Sequence, residues 1–164
     1  MELSQRIEHD FSELDKFFKL VSDAIESEPE WSYLNASARF TMITDLYGCL
    51  EFWLRELCNY HQNKFQLSLS HKDIRSDNDL SAYNKYLCKV SNIDIAPVHN
   101  AYCDLQNLRK VRNIIVHGGA HTNDDKISSI KGVGLFGSLI TVSNDFVHKS
   151  KDSAKCYLIH IANA

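Results

Sequence analysis

The sequence Leu105–Gly119, LQNLRKVRNIIVHGG, decides the fold that we predict for this chain. Apolar side chains recur in it at intervals of three and four residues, which indicates one buried face of an α-helix. These side chains are Leu105, Leu108, Val111 and Ile115. The Gly118-Gly119 pair favours a left-handed backbone that ends a helix, so the segment predicts the last three turns of one.

One charged side chain, Arg112, falls inside the apolar arc of this predicted helix. A buried arginine needs hydrogen bonds and a counter-charge, because removing its water costs several kcal/mol. We expect Glu51 to be its first candidate partner and Asp104 the second, since each lies on or beside the apolar arc of its own helix. Glu51 is also open to interpretation as an ordinary solvated helix glutamate.

A polar row runs along the neighbouring side of the same helix. Arg109, Asn113 and His117 follow one another at intervals of four residues, so they share one side, with Arg112 at its edge. His117 stands at the predicted C-terminal end of the helix. The row therefore forms a candidate site rather than a scatter of polar residues.

Composition describes an ordinary globular chain with a bias toward helix. The 164 residues are 44% hydrophobic and 24% charged, with two prolines and six glycines, which is too little glycine for a turn-rich sandwich or barrel. The net charge of −3 provides no general attraction to nucleic acid, so phosphate binding would depend on a local basic patch.

Cysteine usage and hydropathy indicate a cytoplasmic protein. The five cysteines are an odd number without C-x-x-C spacing, which argues against a disulfide framework and a zinc ribbon. The first residues, MELSQR, are polar and contain no apolar signal core. No apolar run approaches the roughly 18 residues of a membrane span, so we expect no membrane partner.

The helical period of apolar residues recurs along the chain and predicts an all-α fold. The first half of the chain predicts a helix over 3–25, a long helix over 35–61, a loop over 63–79, and a helix that is capped by Asn78 or Asp79 and ends near Val90. The second half predicts a helix with Pro97 in its first turn, short strands over 127–133 and 139–142, and a helix over 145–162 that is capped by Ser143 or Asn144. We therefore predict one domain over residues 1–164, an antiparallel helical bundle with a small β-hairpin before the C-terminal helix.

The order Arg112, Asn113, three residues and His117, at the end of a helix and before glycine, resembles the R-N-x-x-x-H motif of the HEPN superfamily of all-α domains. The flanking Leu-Arg-Lys-Val and Gly-Gly, the long second helix and the late hairpin are also similar to stand-alone prokaryotic HEPN proteins. This resemblance implies a metal-independent endoribonuclease that needs no cofactor and binds RNA in a cleft between two protomers. It also implies a role as a toxin or an antiphage, abortive-infection effector.

The resemblance implies a role for each motif residue. His117 would act as general acid or base on the 2′-hydroxyl or the leaving oxygen, because imidazole titrates near neutral pH. Arg112 would stabilise charge that develops on the phosphate. Asn113 would orient His117 or hold a phosphate oxygen. The products would carry a 2′,3′-cyclic phosphate, since the attacking hydroxyl belongs to the RNA.

Helix geometry favours a homodimer independently of the family. Arg112 and His117 lie about 140° apart around one helix and about 7.5 Å apart along it, so one helix presents them poorly to a single phosphate. A two-fold neighbour would bring Arg112 of one chain close to His117 of the other. Arg109 and Lys110 would add positive charge for the RNA, although Lys110 also fits an ordinary solvated basic turn.

Other interpretations remain open at this point. Arg112 and His117 also fit a structural ion pair and a helix cap in a non-catalytic HEPN-like module that binds RNA, nucleotide or a partner protein. His117 and His121 are four residues apart, but the glycine pair ends the helix between them, so we predict no metal site. Gly119 stands where toxins inactivated by a nucleotidyltransferase have tyrosine, which favours a different antitoxin or regulatory partner.

Overall fold

The computed structural model describes residues 2–164, which form five α-helices and one β-hairpin. In chain order these are α1 (Leu3–Ala24), α2 (Tyr33–Phe65), α3 (Asp79–Lys89), α4 (His99–Gly118), β1 (Val133–Phe136), β2 (Leu139–Val142) and α5 (Asn144–Ala162). The predicted all-α bundle with a hairpin before the last helix is confirmed. Among the helices in this part of the chain, none is both long and apolar enough to cross a bilayer.

The longest helix, α2, forms the centre of the bundle and packs against each of the other four helices. Its buried face repeats at helical spacing and carries, among others, Ile43, Leu46, Leu50, Trp53, Leu54 and Leu57. Burying each large apolar side chain contributes about 1.5–3 kcal/mol, so this face accounts for much of the stability of the fold. The Trp53 indole also donates to Asp10 on α1 at 3.1 Å, which satisfies its buried N–H.

Helix α4 lies between α2 and α5 and buries the predicted stripe of Leu105, Leu108 and Val111. The burial of this face decreases toward the C-terminal end of α4, where Ile115 is half-buried and Val116 is 47% exposed. The predicted glycine stop is also confirmed. Gly119 has φ +58°, and the Ala120 N–H donates to the Ile114 carbonyl oxygen at 3.0 Å.

The first strand of the hairpin lies later in the chain than we predicted. Residues 127–129 belong to a 3₁₀ turn, Asp125–Ser129, because the Asp124 carboxylate accepts from the Lys126 N–H and begins that turn. The strand β1 starts at Val133 and pairs with β2 in antiparallel register. The register follows from the tight turn between the strands, where Gly137 has φ +62°. The second strand was predicted correctly.

The predicted helix boundaries need smaller corrections. The helix predicted over 35–61 extends to Tyr33 and Phe65, because the Ser32 hydroxyl caps its first turn. The predicted loop over 63–79 therefore includes the last turn of α2, and it also contains a 3₁₀ turn at His71–Asp73. Pro97 lies in a 3₁₀ turn, Ala96–Val98, just before α4 rather than inside it. The predicted caps Asn78 and Ser143 are confirmed.

A buried arginine, Arg39, links α2 to the end of the hairpin. The residue is 8% exposed, and its side chain donates to the Val142 carbonyl oxygen at 3.0 Å and to Asn144 Oδ1 at 3.1 Å. The Glu30 carboxylate lies 3.4 Å from the same guanidinium. These bonds replace the water that a buried guanidinium loses, and they attach β2 and the start of α5 to the central helix.

We expect Arg39→Met to lower the free energy of unfolding by about 1.5–3 kcal/mol, because the buried Val142 carbonyl loses its donor. Urea or thermal denaturation followed by circular dichroism measures the change. The matched control is Arg55→Met on the same helix, where the side chain is half exposed, and its effect should stay within about 0.5 kcal/mol. Equal losses in the two variants would contradict this role for Arg39.

Candidate functional site

A polar cleft of about 340 Å³ opens between the C-terminal half of α4, the middle of α2 and the start of α3. It is lined by Tyr47, Glu51, Asp77, Asn78, Asp79, Arg109, Arg112, Asn113 and His117. A larger hollow of about 530 Å³ lies beside the N-terminal end of α1, but the side chains that line it include a single cation, Arg6. The cleft on α4 combines guanidinium groups, an amide and an imidazole, which makes it the better candidate for chemistry.

The structure brings the predicted motif residues together in one protomer. Arg112, Asn113 and His117 line the same cleft, and Arg109 lies one turn earlier on the same helix. They share this position because the opposite face of α4 is buried against α2 and α5, which turns the polar row outward. His117 is exposed in the last turn, immediately before Gly118. A single helix therefore presents these groups to one space better than the helical wheel suggested.

The Arg112 guanidinium is held by an aromatic ring and an amide. Its Cζ atom lies 5.2 Å from the centre of the Tyr47 ring, and its Nη1 donates to Asn113 Oδ1 at 3.2 Å. Within residues 2–164, no carboxylate oxygen lies within 4.0 Å of an Arg112 nitrogen. The direct ion pair that we predicted for this arginine is therefore not formed. Asn113 Oδ1 accepts this hydrogen bond from Arg112, and among the described residues Asn113 forms none with His117.

Glu51, the first predicted partner, shares the cleft with Arg112 without touching it. It projects from α2 one turn after Tyr47 and is half-buried. Burial raises the pKa of its carboxyl; the Arg112 charge opposes this rise and the Asp79 charge adds to it. The pKa is raised overall, which indicates that the electrostatic attraction of Arg112 does not compensate for the desolvation of Glu51.

Asp104, the second predicted partner, lies on another side of α4. Its carboxylate accepts from Lys149 Nζ at 2.7 Å and from the Ser153 hydroxyl at 2.9 Å, both on α5. Position 104 faces this way because α4 packs closely against α5 along that arc. The prediction that Asp104 supports Arg112 is therefore wrong, and Asp104 has a structural role between two helices.

The two residues predicted to bind the RNA backbone differ in position. Arg109 lines the cleft, and its Nε–H is buried without an acceptor among the described residues. Arg109 therefore adds a second guanidinium group to the cleft wall. Lys110 is exposed and is not part of the cleft wall, which fits the simpler interpretation of a solvated basic residue.

Sequence reasoning missed part of the cleft wall. Tyr47 was not among the predicted site residues, and Asn78 and Asp79 were predicted only as helix caps. Asp77 gave no signal because it lies in a polar loop without periodicity. The spacing of four residues between Tyr47 and Glu51 was the one clue that both side chains point toward the same neighbour.

The charges in the cleft define what it can do chemically. Two guanidinium groups can hold a phosphate, and the exposed imidazole of His117 can transfer a proton. Burial, with a smaller contribution from Glu51, raises the pKa of Tyr47 above its ordinary value, so the phenol stays protonated. Residues 2–164 contain no cluster of three or more histidine, cysteine, aspartate or glutamate side chains arranged to hold a metal ion.

We expect Glu51→Gln to raise the melting temperature at neutral pH, because an acid whose pKa is raised by folding destabilises the fold once it is ionised. Below the pKa that this carboxyl has in the unfolded chain, Glu51 is protonated and the penalty is absent. The increase in melting temperature should therefore vanish below about pH 4. Thermal melts across this pH range test the prediction, with Glu56→Gln on the same helix as the control. A Glu51→Gln protein that melts below the native protein at neutral pH would contradict it.

Comparisons of the chain with family models, curated proteins and solved structures find no match. The resemblance of Arg112, Asn113 and His117 to the R-N-x-x-x-H motif therefore stays a prediction. A function for this chain is inferred from the side chains that line the cleft, since these are what a ligand meets.

Proposed function

We propose that this chain is a metal-independent endoribonuclease of the HEPN type, which cleaves RNA in the cleft on α4. The observation that carries the proposal is the convergence of Arg112, Asn113 and His117 on one polar cleft that also contains Arg109. A guanidinium and an imidazole in the same cleft can supply charge stabilisation and proton transfer to phosphodiester cleavage without a metal.

The proposed reaction uses the 2′-hydroxyl of the RNA as nucleophile. The 2′-oxygen attacks the adjacent phosphorus, and the bond from phosphorus to the 5′-oxygen of the next nucleotide breaks. His117 accepts the proton of the 2′-hydroxyl or donates a proton to the leaving oxygen, and water carries the other proton. The products are a 2′,3′-cyclic phosphate and a free 5′-hydroxyl, so no metal, cofactor or external nucleophile is consumed.

Arg112 is suited to stabilising the charge that develops on the phosphate. Among residues 2–164, no carboxylate pairs with it, so most of its N–H donors remain available to phosphate oxygens. Asn113 limits the rotation of the guanidinium through its hydrogen bond. Arg109 supplies a second cation in the same cleft. Donors that are already oriented stabilise a transition state without further reorganisation.

A homodimer is part of the proposal for an electrostatic reason. The cleft of one protomer contains two guanidinium groups and three carboxylates, Glu51, Asp77 and Asp79, which leaves little net attraction for a polyanion. A second α4 would add its own basic row. The exposed Val116, beside His117, offers an apolar contact that such a neighbour would cover.

We further propose the toxic or antiphage role that the resemblance to the HEPN superfamily implies. An RNA nuclease in the cytoplasm must be restrained until it is needed, so we propose an antitoxin or regulatory protein as a further partner. Gly119 lacks the hydroxyl that a nucleotidyltransferase would modify at this position, so restraint by another contact fits this chain better.

We expect the purified protein to cleave single-stranded RNA in EDTA and to leave 2′,3′-cyclic phosphate ends. His117→Ala and Arg112→Ala should each lower the rate by about 100-fold or more, because each removes a group used in the transition state. The matched control is His121→Ala, since His121 is exposed just beyond α4 and contacts Ser138 rather than the cleft. Intact RNA with the native protein, or equal cleavage by all variants, would refute the nuclease.

The alternative function is a non-catalytic module that binds RNA, nucleotide or a partner protein. The mixed charge of the cleft favours it, because Glu51, Asp77 and Asp79 can accept from the N–H groups of a base or a partner protein beside the two arginines that attract phosphate. An electrophoretic shift of RNA without cleavage, lost in Arg112→Ala but kept in His117→Ala, would identify this alternative.

A further inference from the structure

We propose that Tyr47 is a positioning residue, whose aromatic face holds the Arg112 guanidinium in place at the cleft. The effect of Tyr47 on catalysis rests on the proposed ribonuclease function, whereas the contact between the Tyr47 ring and Arg112 does not. The inference adds a residue that the motif does not contain, because Tyr47 belongs to α2 and Arg112 to α4.

The Tyr47 ring is fixed in the core of the bundle. It is 3% exposed, and its neighbours Leu46 and Leu50 on the same helix are fully buried. The Arg112 Cζ atom lies 5.2 Å from the ring centre, which is within the range of a cation–π contact. A rigid ring therefore provides a fixed surface for an otherwise flexible side chain.

An aromatic support has a different consequence from a carboxylate support. A carboxylate would bind guanidinium N–H groups and neutralise their charge, which would leave less for a phosphate. The ring face attracts the cation and uses none of its N–H donors. Among residues 2–164, the Arg112 side chain donates to Asn113 alone, so its remaining donors are free for a ligand in the cleft.

The hydroxyl of Tyr47 can be separated from its ring by substitution. If the ring face is what positions Arg112, Tyr47→Phe keeps the function and any non-aromatic residue loses it. If the hydroxyl takes part in proton transfer or binds the ligand, Tyr47→Phe loses activity as well. The pair of variants therefore distinguishes a positioning residue from a catalytic one.

The first measurement is nuclear magnetic resonance of the Arg112 side chain, with its Nε–Hε signal assigned by loss of that signal in Arg112→Lys. We expect ring-current shifts of Arg112 in the native protein and in Tyr47→Phe, and their loss in Tyr47→Leu. Tyr47→Met provides a second non-aromatic variant if the leucine variant does not fold. Unchanged Arg112 shifts in a folded non-aromatic variant would overturn the inference.

The second measurement is the kinetics of RNA cleavage. Tyr47→Leu should lower kcat by about 10- to 30-fold and change KM less than about 3-fold. The position of the Arg112 guanidinium affects the transition state, in which negative charge develops on the phosphate, more than it affects the bound substrate. Tyr47→Phe should retain most of kcat. Tyr86→Leu, which removes a fully buried tyrosine outside the cleft, should leave kcat at the native level.

The outcomes separate this inference from the proposed function. A native protein that cleaves no RNA would end the nuclease proposal, while the resonance measurement still decides whether Tyr47 positions Arg112. A Tyr47→Phe protein as inactive as Tyr47→Leu would overturn positioning by the ring. A Tyr47→Leu protein that folds and keeps its kcat would overturn it as well.

Discussion

A permanently charged guanidinium at the edge of the hydrophobic core is the constraint on which this structure depends. Helix α4 must bury Leu105, Leu108 and Val111 to complete the bundle, and this rotation places Arg112 against α2. The charge cannot be lost by deprotonation, so its environment must compensate for the missing water. The Tyr47 ring and the Asn113 amide provide that compensation on one side, and the open cleft leaves the other side to water or a ligand.

The same constraint explains why the cleft is electrostatically mixed. Carboxylates from α2 and from the start of α3 stand across from the two arginines at distances too long for ion pairs, so both signs of charge remain exposed to a ligand. Such a cleft provides little net attraction for a long polyanion. A second protomer that contributes another basic row resolves this difficulty, which is why the dimer is central to the proposed function.

Local signals in the sequence were sufficient for most of the fold. The periodic stripes, the caps Asn78 and Ser143 and the stop at Gly119 act within a few residues, and each was predicted correctly. The polar row on α4 was predicted for the same reason. Local signals failed at the first strand, where the Asp124 cap converts a β-favouring run into a 3₁₀ turn.

Contacts between distant parts of the chain could not be predicted from the sequence. Asp104 binds Lys149, which lies 45 residues away, because of the way α4 and α5 pack. Arg39 reaches the Val142 carbonyl across 103 residues. Tyr47 belongs to the site because α2 and α4 lie side by side, and no local signal in the sequence indicates that pairing. Helix periodicity identifies the face that is buried, but it does not identify the helix that covers it.

Subunit mixing tests the central claim, a cleft shared by two protomers, most directly. Arg112→Ala and His117→Ala chains, each inactive alone, are unfolded together, refolded and assayed for RNA cleavage in EDTA. If Arg112 of one chain acts with His117 of the other, mixed dimers contain one intact pair. Activity should then return to about a quarter of the native level, because about half of the dimers are mixed. A mixture that refolds into dimers but stays inactive would contradict a cleft in which Arg112 of one protomer acts with His117 of the other.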